Sequence, residues 1–398
     1  MKKSFIKVAI KKTKPQKAAV VQVTRKIKDL DRLQLFVRSG GRCEFDGCNA
    51  YLLEHHVTLT EGNFAQMAHI VAFSKDGPRA SSDRPKSIND VANLMALCTS
   101  CHKLIDDHPD RFTKATLLGY KEQHERRIRH VTGLGPEQKT SLLIVKSKIG
   151  QQTVAFPFDH ILEAITPRYP LSKKPFEIDL TALPTDSTGF LTAACDAIAG
   201  ELKNFLGPQG EFKKTGHISL FALGTIPVLA FLGSQLSNKV PLDLYQRHRD
   251  TEKWVWKQGT TPVEYDFRIV RKGSNAGRVA LLLSLSGKID PQRLPSTIDA
   301  SYSVYELTLA NMVPSPMFLN ARADLEKFRI AYQLALGNIL KDHSGVTGID
   351  FFPAVPAPVA VLCGRELLPK VHPEVRVYDN DKSTGGFTYQ LTLNQNAK

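Results

Sequence analysis

The chain has 398 residues, of which 42% are hydrophobic and 23% are charged, and its formal net charge at pH 7 is +14. This length predicts two or three domains, and the near-average composition excludes a chain that is disordered throughout. No apolar run is long enough to cross a membrane and no signal-peptide pattern follows the N-terminus, so we expect a cytoplasmic protein without membrane contact.

The first segment, residues 1–25, is basic and has no clear apolar periodicity. Ten lysines and arginines precede the first acidic residue, Asp29. Lysines bind phosphate backbones of any base sequence because they release condensed counterions. The segment therefore predicts contact with a polyanion, and the alternative is a solvated tail.

The next part of the chain, residues 26–132, has the pattern of one small domain. In chain order we expect a helix over 25–38, a hairpin of strands 51–60 and 64–73, a polar loop over 74–90, a helix that begins near Cys98, and a helix over 116–130. The loop is long and basic, with Arg79, Arg84 and Lys86, which favours contact with a phosphate backbone over a merely solvated loop. The Gly-Leu-Gly-Pro segment at 133–136 predicts a domain boundary.

The remaining part, residues 137–398, contains an internal repeat. The first copy recurs 131 residues later with the same offset at each position, as Leu220-Phe221, Pro227, Gly233, Leu236 and Lys239-Val240 and then Phe351-Phe352, Pro358, Gly364, Leu367 and Lys370-Val371. An apolar strand and a long amphipathic helix precede each copy. The repeat predicts a duplicated α/β domain with halves at about 137–270 and 271–398.

Two close cysteine pairs predict a metal site in the first domain. Cys43 and Cys48 form one pair, and Cys98 and Cys101 form the other. In a reducing compartment such pairs favour metal binding over disulfides, and four thiolates complete a tetrahedral structural Zn²⁺ site. Since that site has no open coordination position, a catalytic metal must bind elsewhere.

The residues between and after these pairs resemble the HNH, or ββα-metal, endonuclease family. The motif consists of Ala68-His69-Ile70 on a strand and the segment from Asn93 to His102 that enters a helix, and the resemblance spans about residues 40–110. It implies an α+β zinc-containing fold in which His69 is the general base, Asn93 orients it, and His102 binds Mg²⁺ or a similar divalent ion. The implied substrate is double-stranded DNA, and no base-reading helix is evident, so we expect low sequence specificity.

One position departs from the family pattern. Many members have an acidic metal ligand directly before the strand histidine, where this chain has Ala68. We expect His56 to take part in the active site instead, because strand side chains alternate and only one of His55 and His56 can face it. Asp106, one helical turn after His102, is the other alternative.

The duplicated part resembles a SAVED domain, which consists of two fused CARF-like Rossmann-type units and binds cyclic oligonucleotides. The resembling residues are Phe221-Ala222 to Gly233, Phe352 to Pro358, Gly364-Arg365 and Tyr378-Asp379. With the first domain, the chain resembles the HNH-SAVED effectors of bacterial CBASS antiphage systems. In these systems a cyclic dinucleotide switches on DNA destruction.

A nucleotide pocket is expected beyond the carboxyl ends of the parallel strands, where doubly wound sheets bind ligands. The candidates for phosphate contacts are Lys146, Ser147, Ser284 and Ser286. Trp254 and Trp256 are candidates for stacking a base, and core packing is the alternative.

These observations predict an antiphage DNA endonuclease that requires a metal ion and a cyclic dinucleotide and works as a homo-oligomer, either a dimer or a ligand-induced tetramer. Two alternatives remain. The first is a modification-dependent HNH restriction endonuclease. The second is a non-catalytic zinc DNA-binding regulator, which the missing acidic residue at Ala68 leaves open.

Overall fold

The structure is a computed structural model that describes residues 26–74, 77–81, 84–148, 154–185, 187, 189–381 and 385–395. The basic segment over residues 1–25 lies outside the described residues. The chain forms two compact units, Met1–Gly133 and Leu134–Lys398, and each has its own hydrophobic core. None of the helices in the described part is both long enough and apolar enough to span a membrane.

The N-terminal unit is built around a strand pair and the helix that follows it. Its elements are α1 (Asp29–Ser39), β1 (Ala65–His69), β2 (Leu94–Cys98), α2 (Thr99–Asp107) and α3 (Lys114–Thr132). β1 and β2 are antiparallel, with Ala65 opposite Cys98 and His69 opposite Leu94. Because α2 begins directly after β2, these elements form a ββα unit, as the sequence predicted.

The strand that pairs with β1 is not the predicted one. Residues 51–60 form turns with isolated bridges, and Val57 and Leu59 are exposed there. The true partner is β2, which is separated from β1 by the loop over residues 70–93 and is buried over Leu94 to Leu97. The apolar residues Tyr51, Leu53, Val57 and Leu59 do alternate, which is why a strand was predicted, but all four are exposed. A strand needs a core against which its apolar face can be buried, and this face packs against none in the described part of the chain.

Helix α1 begins at Asp29, later than predicted, and two of its leucines do not reach the core. Leu35 and Ser39 are buried, whereas Leu30 and Leu33 are 62% and 59% exposed. The helix ends at Ser39, and Gly40 follows as its C-terminal cap. The φ of Gly40 is 62°, in the left-handed region that glycine adopts without a Cβ penalty.

The first half of the C-terminal unit contains β3 (Lys139–Lys146), α4 (Phe158–Ile165), β4 (Tyr169–Pro170), β5 (Phe176–Asp179), α5 (Phe190–Leu206), α6 (Phe212–Thr215), β6 (Ile218–Leu223), α7 (Ile226–Leu236) and β7 (Leu242–Leu244). β3 pairs in parallel with β4, β5 and β6, and β6 pairs in parallel with β7. The interior residues of β3 are buried on both faces, as expected for a parallel sheet covered by helices.

The second half contains β8 (Tyr265–Arg271), β9 (Arg278–Ser284), β10 (Ser303–Leu309), α8 (Arg322–Asp342), β11 (Gly348–Ala354), α9 (Ala357–Arg365), β12 (Glu374–Asp381) and β13 (Gly386–Leu393). Its sheet has the order β13-β12-β11-β9-β10-β8, in which the four central strands are parallel and the outer two are antiparallel. The sequence prediction of a duplicated α/β domain is confirmed.

The two halves meet where α7 packs on α9. Gly233 and Gly364, which are equivalent residues of the repeat, lie at this crossing. A Cβ on Gly233 would overlap the Val361 carbonyl oxygen, and a Cβ on Gly364 would overlap the Ala230 carbonyl oxygen. Glycine at both positions therefore permits the close approach of the two helices.

An ion-pair cluster around Asp243 also joins the halves. The carboxylate of this β7 residue lies 3.4 Å from Arg168 Nε and 3.6 Å from His217 Nε2, and it pairs with Arg322 of α8. Burial raises the pKa of Asp243, but the His217 hydrogen bond and the two arginine charges outweigh it and hold the pKa below its usual value. The folded structure therefore stabilises the charged carboxylate.

Candidate functional site

The four predicted cysteine ligands come together in the N-terminal unit. The Sγ atoms of Cys43, Cys48, Cys98 and Cys101 all lie within 4.8 Å of one another. Cys98 ends β2 and caps α2, because its Sγ accepts a hydrogen bond from the Cys101 backbone N–H. The cysteines therefore tie the segment after α1 to the ββα unit, and together they can hold one metal ion.

The surroundings of these thiols suit a bound cation. Burial raises the pKa of the Cys43 thiol to about 12, and burial also raises the pKa of the Cys101 thiol. Burial also raises the pKa of the Cys98 thiol, but hydrogen bonds from Cys101 and the neighbouring thiols outweigh it and lower that pKa. The buried thiolates of Cys43 and Cys101 are therefore the ones that most need the positive charge of a metal ion. Four sulfur donors are the ligand set of structural Zn²⁺ sites, so the residues fit that ion.

His69, the predicted general base, lies at the end of β1. Its Nε2 lies 2.9 Å from Asn89 Oδ1, and its ring packs 5.7 Å from that of Phe73. Because an amide oxygen only accepts hydrogen bonds, Nε2 is the donor in this contact, and the contact orients the imidazole ring. Asn89 was not predicted from the sequence, because nothing local distinguishes it from the other polar residues of its loop.

Asn93 is buried and its amide binds the backbone of the loop between β1 and β2. Oδ1 accepts from the Val71 N–H (2.9 Å), while Nδ2 donates to the carbonyl oxygens of Val71 (3.1 Å) and Ile88 (2.9 Å). These bonds fix both ends of the loop. Asn93 therefore holds the backbone beside His69, and Asn89 contacts the imidazole itself.

His102 and Asp106 lie one turn apart on α2. Their side chains are 33% and 34% exposed, and His102 Nε2 is 3.8 Å from Asp106 Oδ2. The other carboxylate oxygen, Oδ1, accepts a hydrogen bond of 2.7 Å from Arg79. Mg²⁺ is commonly held by one or two side-chain ligands together with phosphates and waters, so this pair fits such an ion.

The predicted strand on which the expectation for His56 rested is not formed. His55 and His56 lie in the turns of residues 51–60, so the argument from strand alternation does not apply to them. His56 is exposed and its ring contacts the His55 ring at 4.9 Å, while Thr58 donates to His55 Nδ1. Ala68 is buried in the core, and among the described residues Asp106 is the carboxylate that lies beside His102.

In the C-terminal unit, polar side chains follow three adjacent strands of the first sheet. Ser147 follows β3, Thr225 follows β6 and Gln246 follows β7. Ser147 Oγ, Thr225 Oγ1 and Gln246 Oε1 are buried and have no hydrogen-bond partner within the described part of the chain. Buried polar atoms are nearly always paired, so this carboxyl edge is built to receive a polar ligand or water.

Trp254 and Trp256 do not form the predicted stacking surface. Both belong to the hydrophobic core; Trp254 is fully buried between Phe156 and Phe221, at ring distances of 5.2 Å. Trp256 Nε1 donates to the Leu244 carbonyl oxygen. The alternative of core packing is correct for both, because neither ring leaves a face open to a base.

The other predicted phosphate contacts already have partners in the protein. Lys146 Nζ lies 2.7 Å from Glu177 and 3.3 Å from Asp179 on the neighbouring strand β5. Ser284 is fully buried, and its Oγ accepts from the Ile289 N–H. At Ser286 the backbone N–H donates to the Ala354 carbonyl oxygen, which ties this residue to the end of β11, and the predicted hydroxyl contact stays a prediction.

Two family models match separate parts of the chain. Residues 43–109 match the model described as HNH endonuclease, and residues 198–393 match the SAVED model, the SMODS-associated and fused to various effectors sensor domain. No curated protein matches the chain.

Solved structures of SAVED/CARF-domain containing receptors are also similar. The Cap4 receptor of Acinetobacter baumannii with the cyclic trinucleotide 2'3'3'-cAAA has 12% identity and a TM-score of 0.41, and the match covers 77% of this chain and 64% of that chain. The Cap4 receptor of Moraxella osloensis has 10% identity and a TM-score of 0.41, with coverages of 78% and 70%. This chain thus spans less than two thirds of the length of the Acinetobacter receptor.

Proposed function

Because this chain joins an HNH endonuclease domain to a SAVED sensor domain, we propose that it is a CBASS-type effector that degrades double-stranded DNA when a cyclic oligonucleotide binds. The observation that carries the proposal is the ββα unit, in which His69 ends β1 and His102 and Asp106 lie on α2. Four clustered cysteines hold this unit together, and we propose Zn²⁺ as their ion.

In this proposal His69 removes the proton of the water that attacks the scissile phosphate. The hydrogen bond to Asn89 fixes its tautomer, and Asn93 fixes the backbone beside it. As the new P–O bond forms, the bond from phosphorus to the leaving sugar oxygen breaks. His102 and Asp106 would hold Mg²⁺ or a similar divalent ion, which would neutralise the charge that develops on the phosphate and on that oxygen. Low sequence specificity is expected because these contacts involve the phosphate and not base edges.

The activator is proposed to bind at the carboxyl edge of the first half of the SAVED domain. The hydroxyls of Ser147 and Thr225 and the amide oxygen of Gln246 would pair there with a cyclic dinucleotide. The Thr225 side chain does not cap α7, so the N-terminus of that helix favours a phosphate group at the same place.

Activation requires that the ligand bind the active state more tightly than the inactive one. We propose that the active state is a homo-oligomer, because two nuclease sites side by side can cleave both DNA strands in one binding event. Size-exclusion chromatography with light scattering, with and without activator, tests this part. An unchanged molar mass in the presence of an activator that triggers cleavage would reject the assembly step.

The main experiment is plasmid cleavage by the purified chain with Mg²⁺ and a panel of synthetic cyclic di- and trinucleotides. We expect intact plasmid without activator and degradation with one member of the panel. His69→Ala should abolish cleavage, whereas His130→Ala, an exposed histidine on α3, should retain it. Equal cleavage with and without cyclic nucleotides would reject the sensor role. Cleavage that depends on whether the plasmid is methylated, and not on a cyclic nucleotide, would support a modification-dependent restriction endonuclease.

A second experiment separates ligand binding from folding. Ser147→Ala removes a buried hydroxyl that has no partner among the described residues, so the thermal stability of the free protein should not fall. The activator concentration for half-maximal cleavage should rise about tenfold, as expected for loss of a hydrogen bond to a charged phosphate. The exposed Ser172→Ala is the matched control, and an unchanged activator response of Ser147→Ala would reject this pocket.

A further inference from the structure

Arg79 lies in the interior of the ββα unit. The basic composition of its loop had predicted that it would contact DNA or solvent instead. Its side chain is only 6% exposed. Nε donates to the Ile70 carbonyl oxygen (3.3 Å), Nη2 donates to the His69 carbonyl oxygen (3.2 Å), and Nη1 donates to the Ile105 carbonyl oxygen. The same Nη2 also donates to Asp106 Oδ1 (2.7 Å).

These hydrogen bonds connect the two elements that carry the nuclease residues. Two of them reach the end of β1, which holds His69, and two reach α2, which holds His102 and Asp106. A guanidinium group is planar and its donors have a fixed geometry. One rigid group therefore sets the position of the end of β1 relative to α2.

The contact with Asp106 also determines how its carboxylate is presented. Arg79 binds Oδ1, and Oδ2 then lies on the side of His102, 3.8 Å from Nε2. Groups that orient a metal ligand without touching the metal commonly change metal affinity by 10-fold to 100-fold. Arg79 orients Asp106 in this way, and Asp106 is one of the two ligands proposed for the divalent ion.

The backbone of Arg79 supports a specific role. Its φ of 62° lies in the left-handed region, which is unfavourable for a residue with a Cβ. Residues in such strained conformations persist where surrounding contacts hold them, and they concentrate at functional sites. Here the buried guanidinium contacts fix the conformation, and the Ala72 N–H donates to the Arg79 carbonyl oxygen.

We propose that Arg79 is a positioning residue of the nuclease site, where its buried guanidinium holds the His69 end of β1 and the Asp106 carboxylate of α2 in their active arrangement. The inference rests on the proposed function, because it assigns Arg79 a part in metal-dependent cleavage. In this role Arg79 would act through the end of β1 and the Asp106 carboxylate, which are the groups that its guanidinium contacts.

The first test is Mn²⁺ binding to the zinc-loaded full chain without DNA, followed by the paramagnetic signal of free Mn²⁺. Arg79→Ala and Arg79→Lys should each weaken Mn²⁺ binding by about 10-fold or more. The exposed Arg111→Ala should bind Mn²⁺ as the wild type does. Wild-type Mn²⁺ affinity in a folded, zinc-loaded Arg79→Lys chain would overturn the proposal.

A double-mutant cycle tests whether Arg79 acts through Asp106. Asp106→Asn alone should weaken Mn²⁺ binding, and adding Arg79→Lys should weaken it little further, because both changes disturb the same ligand. Fully multiplicative losses would mean that Arg79 acts elsewhere. If Arg79→Ala loses its zinc, the Mn²⁺ affinity measurement and the double-mutant cycle are made with Arg79→Lys alone, since this variant keeps a buried cation.

Activated plasmid cleavage supplies the second readout. Arg79→Ala should lower kcat by about 100-fold while the KM for DNA stays within about threefold, because misplacing catalytic groups by about 1 Å costs this much. Guanidinium ions at millimolar concentration should restore part of the rate to Arg79→Ala and none to Asp106→Asn. Failure of the wild type to cleave would reject the proposed function, whereas wild-type kcat in Arg79→Ala would reject only this inference.

Discussion

Gly233→Ala is expected to destabilise the C-terminal unit strongly because it separates α7 from α9. The added Cβ would lie 2.8 Å from the Val361 carbonyl carbon and 2.9 Å from the Arg365 backbone nitrogen. Ordinary contacts begin near 3.4 Å, and side-chain rotation cannot relieve a clash with the backbone. Overpacking costs about 1 to 3 kcal/mol, and we expect the upper end, about 3 kcal/mol, because the helices must move as wholes. For a unit of this size the unfolding temperature should fall by about 6 to 12 °C.

The assay is differential scanning calorimetry of the full chain, with Gly200→Ala as the matched control. Gly200 lies on α5, where an added Cβ meets no atom within 4 Å, so alanine there should leave the unfolding temperature equal or higher. Gly364→Ala should resemble Gly233→Ala. The double variant should lose less than the sum of the two, because one separation of the helices relieves both overlaps. A Gly233→Ala chain that unfolds at the wild-type temperature would refute the reasoning.

Three further predictions concern other parts of the chain. Cys43→Ser should leave no bound zinc in metal analysis, whereas Cys195→Ser should keep one zinc per chain; equal zinc contents would contradict the four-cysteine site. Asn93→Ala leaves buried backbone groups unpaired and should lower the unfolding free energy of the N-terminal unit in urea by about 2 to 4 kcal/mol, and a loss below about 0.5 kcal/mol would refute its structural role. Asp243→Asn should be less stable than the wild type at pH 7. Because the folded pKa of Asp243 lies below its usual value, this difference should shrink only below about pH 4, and a difference that already shrinks well above pH 4 would contradict the lowered pKa.

The sequence was most informative where the signal is local or repeated. The four cysteines and the pattern from His69 to His102 have short, fixed spacings, and the structure brings them into one ββα unit. The constant offset between Gly233 and Gly364 predicted the duplication, since a chance match would not preserve the spacing across strand, helix and strand. Physical requirements at these positions, namely metal geometry and close helix contact, restrict the residue types strongly.

The sequence was least informative where a side chain is defined by distant contacts. The hairpin was misassigned because β1 pairs with a strand beyond a long loop, while the nearer apolar segment over 51–60 stays exposed. Arg79 and Asn89 carry no local sign that they face inward, because polar loop residues usually face solvent. The burial of Trp254 depends on rings from two other segments, which no pattern around it reveals.

In the described part of the chain, the buried hydroxyls that lack partners, those of Ser147 and Thr225, belong to the same half of the duplicated unit. Two identical subunits that pair about a twofold axis must present the same groups twice, so any mutation alters both sides of their shared site. Fusion into one gene removes that constraint, and each copy can then diverge independently. Such a receptor can distinguish the two ends of an unsymmetrical ligand, which a symmetric dimer of a single unit cannot do.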